Sequence, residues 1–140
     1  MVCNRKSTLM AINTAPQTIP VNGFLEYTAS SKTGCSINFT NGSNAIHLNC
    51  GLYQINVSSE VLGTDAGEGI LQLLRNGAVI PGAEGGATLT VGDISNIAFS
   101  AIIDVPPSCR CVNNSTMLQI QLLNVAATVN NVVVTVVKLA

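Results

Sequence analysis

Gly51-Leu52-Tyr53-Gln54-Ile55-Asn56-Val57-Ser58-Ser59-Glu60 alternates its side chains without a break. Tyr53, Ile55 and Val57 fall on one face, and Gln54, Asn56 and Ser58 on the other. A period of two marks a strand with one face on a core and the other turned away from it. Asn130-Asn131-Val132-Val133-Val134-Thr135-Val136-Val137-Lys138-Leu139 reads differently. It is β-branched and apolar on both faces, so it needs cover on both. A half-buried strand and a doubly covered one in a single chain predict a β-sandwich. They also predict that part of its outer skin is sheltered by another copy of the chain.

The remaining sequence fits strands. Only Gly69–Arg75 has a helix-like look, and it is short. Turn signals punctuate the chain every eight to twelve residues or so, the spacing of a sandwich or barrel. Asn41-Gly42, Asn76-Gly77 and Gly92-Asp93 are the sharpest of them. They place a short hairpin over Ser36–Thr40 and Ala45–Leu48, and a second over Gly69–Arg75 and Ala78–Ile80. Further strands are expected at Ile19–Tyr27, Ala87–Val91, Ile94–Val105, Thr116–Val125 and Val132–Leu139. Ser30–Gly34 reads as a turn. Gly63–Gly67, the Gly-rich Pro81–Gly86, expected to be mobile, and the polar Pro106–Ser115 read as loops. The expected class is all-β, a jelly roll of about 8–10 antiparallel strands. Residues 1–16 read as an N-terminal arm and 17–140 as the jelly-roll domain.

Charged residues make up 9% of the 140-residue chain, and the net charge is −1. An average soluble domain carries about 25% charged residues. Asn, Thr, Ser, Gln and Gly must therefore fill the solvent-facing positions, a surface that repels its neighbours weakly. So small a charge gives no field to steer a nucleic acid. No stretch reaches the ~20 apolar residues of a membrane helix, so no membrane insertion is expected. The opening residues lack the apolar region of a secretory signal, which predicts synthesis in a cytoplasm.

The chemistry-bearing residues are sparse. His47 is the sole histidine and lies between the inward Ile46 and Leu48, so it points outward. No G-x-S-x-G elbow accompanies it, and no acid/base pair stands out, so no enzyme activity and no cofactor are expected. Asp65 and Glu68 share a Gly-containing loop and are candidate hard-cation ligands, without the alternating Asp density of a committed calcium loop. Cys109-Arg-Cys111 is the only close cysteine pair among five and is a candidate metal or crosslink site; the plainer reading is that these are thiols. Five aromatics, Phe24, Tyr27, Phe39, Tyr53 and Phe99, are too few for a stacking platform.

Several motifs then line up. Gly51-Leu52-Tyr53-Gln54-Ile55-Asn56-Val57 resembles the G-x-Y-x-(apolar)-x-(apolar) strand of the C1q/TNF-like jelly rolls. Leu73-Leu74-Arg75-Asn76-Gly77 resembles their L-x-x-N-G hairpin, and Leu89-Thr90-Val91-Gly92-Asp93 their L-x-x-G-D turn. Asn114-Ser115-Thr116-Met117-Leu118 and Val132–Leu139 resemble the last two strands. The charge-poor style is similar to that of bacterial and bacteriophage members, including domains of spore exosporia. No Gly-X-Y collagen stalk is present. The resemblance implies a tight homotrimer, with Tyr53, Phe99, Val132, Val134 and Val136 as candidate interface residues. It points to a structural protein of a particle exterior, a capsid-decorating or fibre-head protein of a phage or prophage, with residues 1–16 anchoring to a capsid or fibre protein. The alternative is a module that binds a surface glycan or receptor.

Overall fold

The computed structural model describes residues 6–106 and 116–140. Eleven strands and no helix occur among them: β1 (Thr8–Asn13), β2 (Gln17–Ile19), β3 (Ala29–Thr33), β4 (Ile37–Asn38), β5 (Ile46–Leu48), β6 (Gly51–Gly63), β7 (Gly67–Arg75), β8 (Ala78–Leu89), β9 (Ile94–Val105), β10 (Thr116–Leu123) and β11 (Ala127–Lys138). One sheet runs β3-β1-β11-β6-β9, with β2 added beside β11, and the other runs β4-β5-β10-β7-β8. Every pairing is antiparallel. The all-β jelly-roll expectation holds.

The core is the layer between the two sheets. The first contributes Leu9, Tyr53, Ile55, Val57, Val132, Val134 and Val136; the second contributes Leu48, Leu71, Leu73, Leu118, Ile120 and Leu122. The alternation that opens β6 thus sorts its side chains as expected. In β11 a bulge between Asn130 and Val133 resets the alternation. Asn131 absorbs the extra residue at φ 49°, a conformation asparagine tolerates better than most residues. Without that step the phase set by buried Val129 would turn Asn131 and Val133 inward. With it, Val132, Val134 and Val136 enter the core, and Val133, Thr135 and Val137 face out.

Several expectations need correction. Thr8–Asn13, assigned to the arm, is β1, an interior strand held between β11 and β3. Leu9 and Ala11 explain this: both are buried, at alternate positions. Ser30–Gly34 is not a turn, since Ala29–Thr33 is the edge strand β3. Ile19–Tyr27 is not one strand: β2 ends at Ile19, and Gly23 N–H closes a turn onto the Pro20 carbonyl at 2.9 Å. Pro81–Gly86 is not a loop but the middle of β8. Gly85 serves close approach, because a Cβ there would sit 2.9 Å from the Ala98 carbonyl oxygen of β9. At that edge the two sheets meet. Cys35 is disulfide-bonded, while Cys50 keeps its thiol. Cys3, Cys109 and Cys111 lie outside the described residues, as do residues 107–115 of the loop expected at Pro106–Ser115.

Candidate interaction surfaces

The candidate trimer residues separate once the sheet is assembled. Tyr53 and Val136 are 0% exposed, Val132 0% and Val134 1%. Their own subunit shields them, so their side chains offer nothing to a neighbour. This corrects their assignment as interface residues: β6 and the far half of β11 turn these side chains into their own subunit's core. Phe99 is half-buried, facing the core from the edge strand β9. The surface open to a neighbour is the opposite skin of the same sheet.

That skin can be laid out in cross-strand rows. Met10, Thr135, Asn56 and Ser100 form one; Ile12, Val133, Ser58 and Ala98 another; Thr8, Val137, Gln54 and Ile102 a third. None of these twelve side chains is charged. Ile102 is 64% exposed and Met10 44% exposed. Glu60 stands one row beyond, where it accepts a hydrogen bond from Asn131 Nδ2 at 3.1 Å. Beside it the Asn130 Oδ1 atom is buried without a hydrogen-bond partner.

The outer skin of the second sheet has a different chemistry. Gln72 Nε2 donates to Gln121 Oε1 at 3.1 Å, and Gln121 Nε2 donates to the Asn22 carbonyl at 3.0 Å. Gln119 Nε2 donates to Asn44 Oδ1 at 3.0 Å. These amides border a cleft lined by Gln17, Thr18, Ile19, Pro20, Gly23, Phe24, Glu26 and Asn44.

The remaining candidates do not assemble. Asp65 sits exposed in the turn after β6, and Glu68 is exposed on β7 opposite Thr88. Among the described residues no group of three or more His, Cys, Asp and Glu gathers as a metal site would require. His47 is half-exposed on β5, opposite Met117 and Asn38. The Tyr53 hydroxyl donates to the Asn49 carbonyl at 2.8 Å, and burial raises its pKa. Burial raises that of Tyr27 as well. Both phenols are locked in structural roles. No helix among the described residues is long and apolar enough to cross a membrane.

No family model and no curated protein matches the chain. Solved structures do. Murine APRIL superposes with a TM-score of 0.70 at 8% identity, covering 96% of this chain and 100% of that one. The globular domain of zebrafish complement 1qA protein gives 0.61 at 6% identity, covering 93% of each chain. Vertex protein P5 of PRD1 gives 0.54 at 14% identity, covering 96% of this chain and 97% of that one. Identities this low speak for the fold alone, and the fold they establish is the C1q/TNF-like jelly roll.

Proposed function

We propose that the chain is a structural, homotrimeric jelly-roll protein of a particle exterior, such as a capsid-decorating or fibre-head protein, without catalytic activity. The observation that carries this reading is the block of three uncharged rows on the outer skin of the β3-β1-β11-β6-β9 sheet, with Glu60 and Asp104 only at its two ends. A skin of valine, isoleucine, methionine, serine and asparagine costs little to desolvate, and it leaves no unpaired charge when a neighbour covers it. The motif resemblance supplies the threefold arrangement. In it an edge of one sandwich lies against a sheet of the next. Likeness to a vertex protein supports the particle setting. Thr8–Asn13 belongs to the sandwich and is not free to anchor to a partner. Light scattering tests the assembly: the expected particle has three times the 14.5 kDa chain mass, and a single-chain mass overturns the trimer.

A second reading, recognition of a surface glycan or receptor, draws support from the amide-rich skin of the other sheet. The two readings are compatible, since they use opposite faces of the sandwich.

A further inference from the structure

Beside the cleft at Phe24 the register sets a line of residues across the second sheet, of which Gln72 is buried. Phe24 is bridged to Gln121, Gln121 pairs with Gln72, and Gln72 pairs with Glu84. Neighbouring strands lie about 4.8 Å apart, so the four positions span about 14 Å. Phe24 is half-buried, leaving part of its ring open above the cleft, and Glu26 two residues on is exposed beside it. Among the described residues no donor occupies the Glu26 carboxylate.

The walls are fixed before any ligand arrives. Gln17 Nε2 donates to the Glu26 carbonyl at 3.1 Å, and Glu26 N–H returns a bond to Gln17 Oε1 at 3.0 Å. Asn13 Nδ2 also donates to the Glu26 carbonyl, at 3.1 Å. The Gln119 amide holds Asn44 by its oxygen, leaving the Asn44 amino group to donate elsewhere. A Cβ on Gly23 would come within 2.9 Å of Ile19 and Pro20, so the turn at the cleft floor is tight.

We propose that this groove, from Glu26, Phe24 and Asn44 to Gln121, is a binding site for a neutral oligosaccharide. A sugar ring offers a C–H face and a rim of hydroxyls that both donate and accept. The groove offers an aromatic face, a carboxylate that accepts, and amides that do both. The two carboxylates, Glu26 and Glu84, stand without a lysine or arginine in the row, which excludes anionic ligands such as phosphates, nucleic acids and sialylated glycans. The row of amides excludes a purely apolar guest. One placed aromatic suffices where its partners are polar, although five aromatics in the whole sequence look too few. The inference rests on the exterior reading for its purpose. Its geometry lies within one subunit and needs no trimer.

The test is an array of neutral and acidic oligosaccharides probed with the full chain, followed by titration of each hit. Expected hits are neutral glycans only. Phe24→Ala should weaken them at least tenfold and Glu26→Gln several-fold, while Val79→Ser, on the same sheet beyond the row, leaves them unchanged. Circular dichroism melting confirms that each variant is folded, and Glu26→Gln, a substitution at an exposed residue, stands in if Phe24→Ala is not. No hit at millimolar sugar, a preference for acidic glycans, capture of peptides alone, or hits indifferent to the variants overturns the site. Light scattering on the same sample reports the assembly separately, so loss of the groove and loss of the trimer are distinguishable.

Discussion

The two outer skins of this sandwich are built from the same strand geometry and are fitted for different work. On the β3-β1-β11-β6-β9 sheet the outward positions are small or apolar and mostly make no side-chain hydrogen bonds with one another. On the β4-β5-β10-β7-β8 sheet glutamines and asparagines bond laterally, Gln72 to Gln121 and Gln119 to Asn44. A skin with few lateral bonds loses little when another protein replaces water. A skin of interlinked amides is held in place, and can present its remaining donors and acceptors to a polar guest. Alternation along a strand says which side chains leave the core. It does not say what meets them there.

The sharpest way to break the comparison uses two adjacent residues of β11. Val134→Asp places a carboxylate in the core, where Val134 is 1% exposed. An unpaired buried charge costs several kcal/mol at least, a large share of the ~5–15 kcal/mol that holds a domain together. The expected result is loss of a cooperative melting transition by circular dichroism. Val133→Asp puts the same group on the outward side. There the subunit should stay folded and the assembly should fall apart, read as a change from trimer to single-chain mass by light scattering. If Val133→Asp leaves the mass unchanged, the uncharged skin is not where copies meet.

A smaller effect sharpens the picture at the edge where the sheets join. Gly85 and Gly86 are neighbours in β8 on opposite sides of the strand. A methyl on Gly85 meets the Ala98 carbonyl oxygen at 2.9 Å and the Phe99 ring at 3.2 Å, whereas one on Gly86 meets nothing nearer than 3.3 Å. Gly85→Ala should therefore destabilise by about 1–3 kcal/mol, the usual cost of overpacking. Gly86→Ala should cost clearly less. The denaturation midpoints of the two variants give the comparison directly.

Much of this was legible in the sequence, and the exceptions share a physical origin. β6, the Asn76-Gly77 hairpin, the Gly92-Asp93 turn and the polar and apolar sides of β10 are local features, set by alternation and turn chemistry. β1 was missed because Thr8–Asn13 alternates for only a few residues, and its membership depends on pairing with a strand more than a hundred residues away. β8 was missed because glycine looks the same in a mobile loop as in a strand pressed against a carbonyl. Val132, Val134 and Val136 were assigned to the interface because β11 is apolar on both faces, and alternation sorts two such faces without saying which one meets the core. The proposed groove left only a faint trace: Phe24, Glu26, Asn44 and Gln121 are scattered through the chain, and only the folded sheet brings them together.

The smallest expected effect concerns the core beneath both skins. The Tyr53 hydroxyl bonds the Asn49 carbonyl at 2.8 Å and reaches the Ser36 carbonyl at 3.4 Å, tying β6 to the segments beside β5 and β4. Tyr53→Phe removes these bonds at a cost of about 1 kcal/mol. Burial holds the pKa of Tyr53 above its ordinary 10.0, so below that pH the phenol is protonated in the folded and the unfolded chain alike. Above it the unfolded chain releases the proton while the folded chain keeps it. The unfolded state then binds fewer protons, and stability falls as pH rises. Tyr27, also raised by burial, adds to the same decline. The wild type should therefore show a flat melting temperature up to about pH 10 and a fall beyond it. Tyr53→Phe should start lower and fall less steeply, the slope that remains belonging to Tyr27. Equal slopes in the two proteins would mean that Tyr53 ionises as readily folded as unfolded, and that its hydroxyl reaches water despite a buried ring.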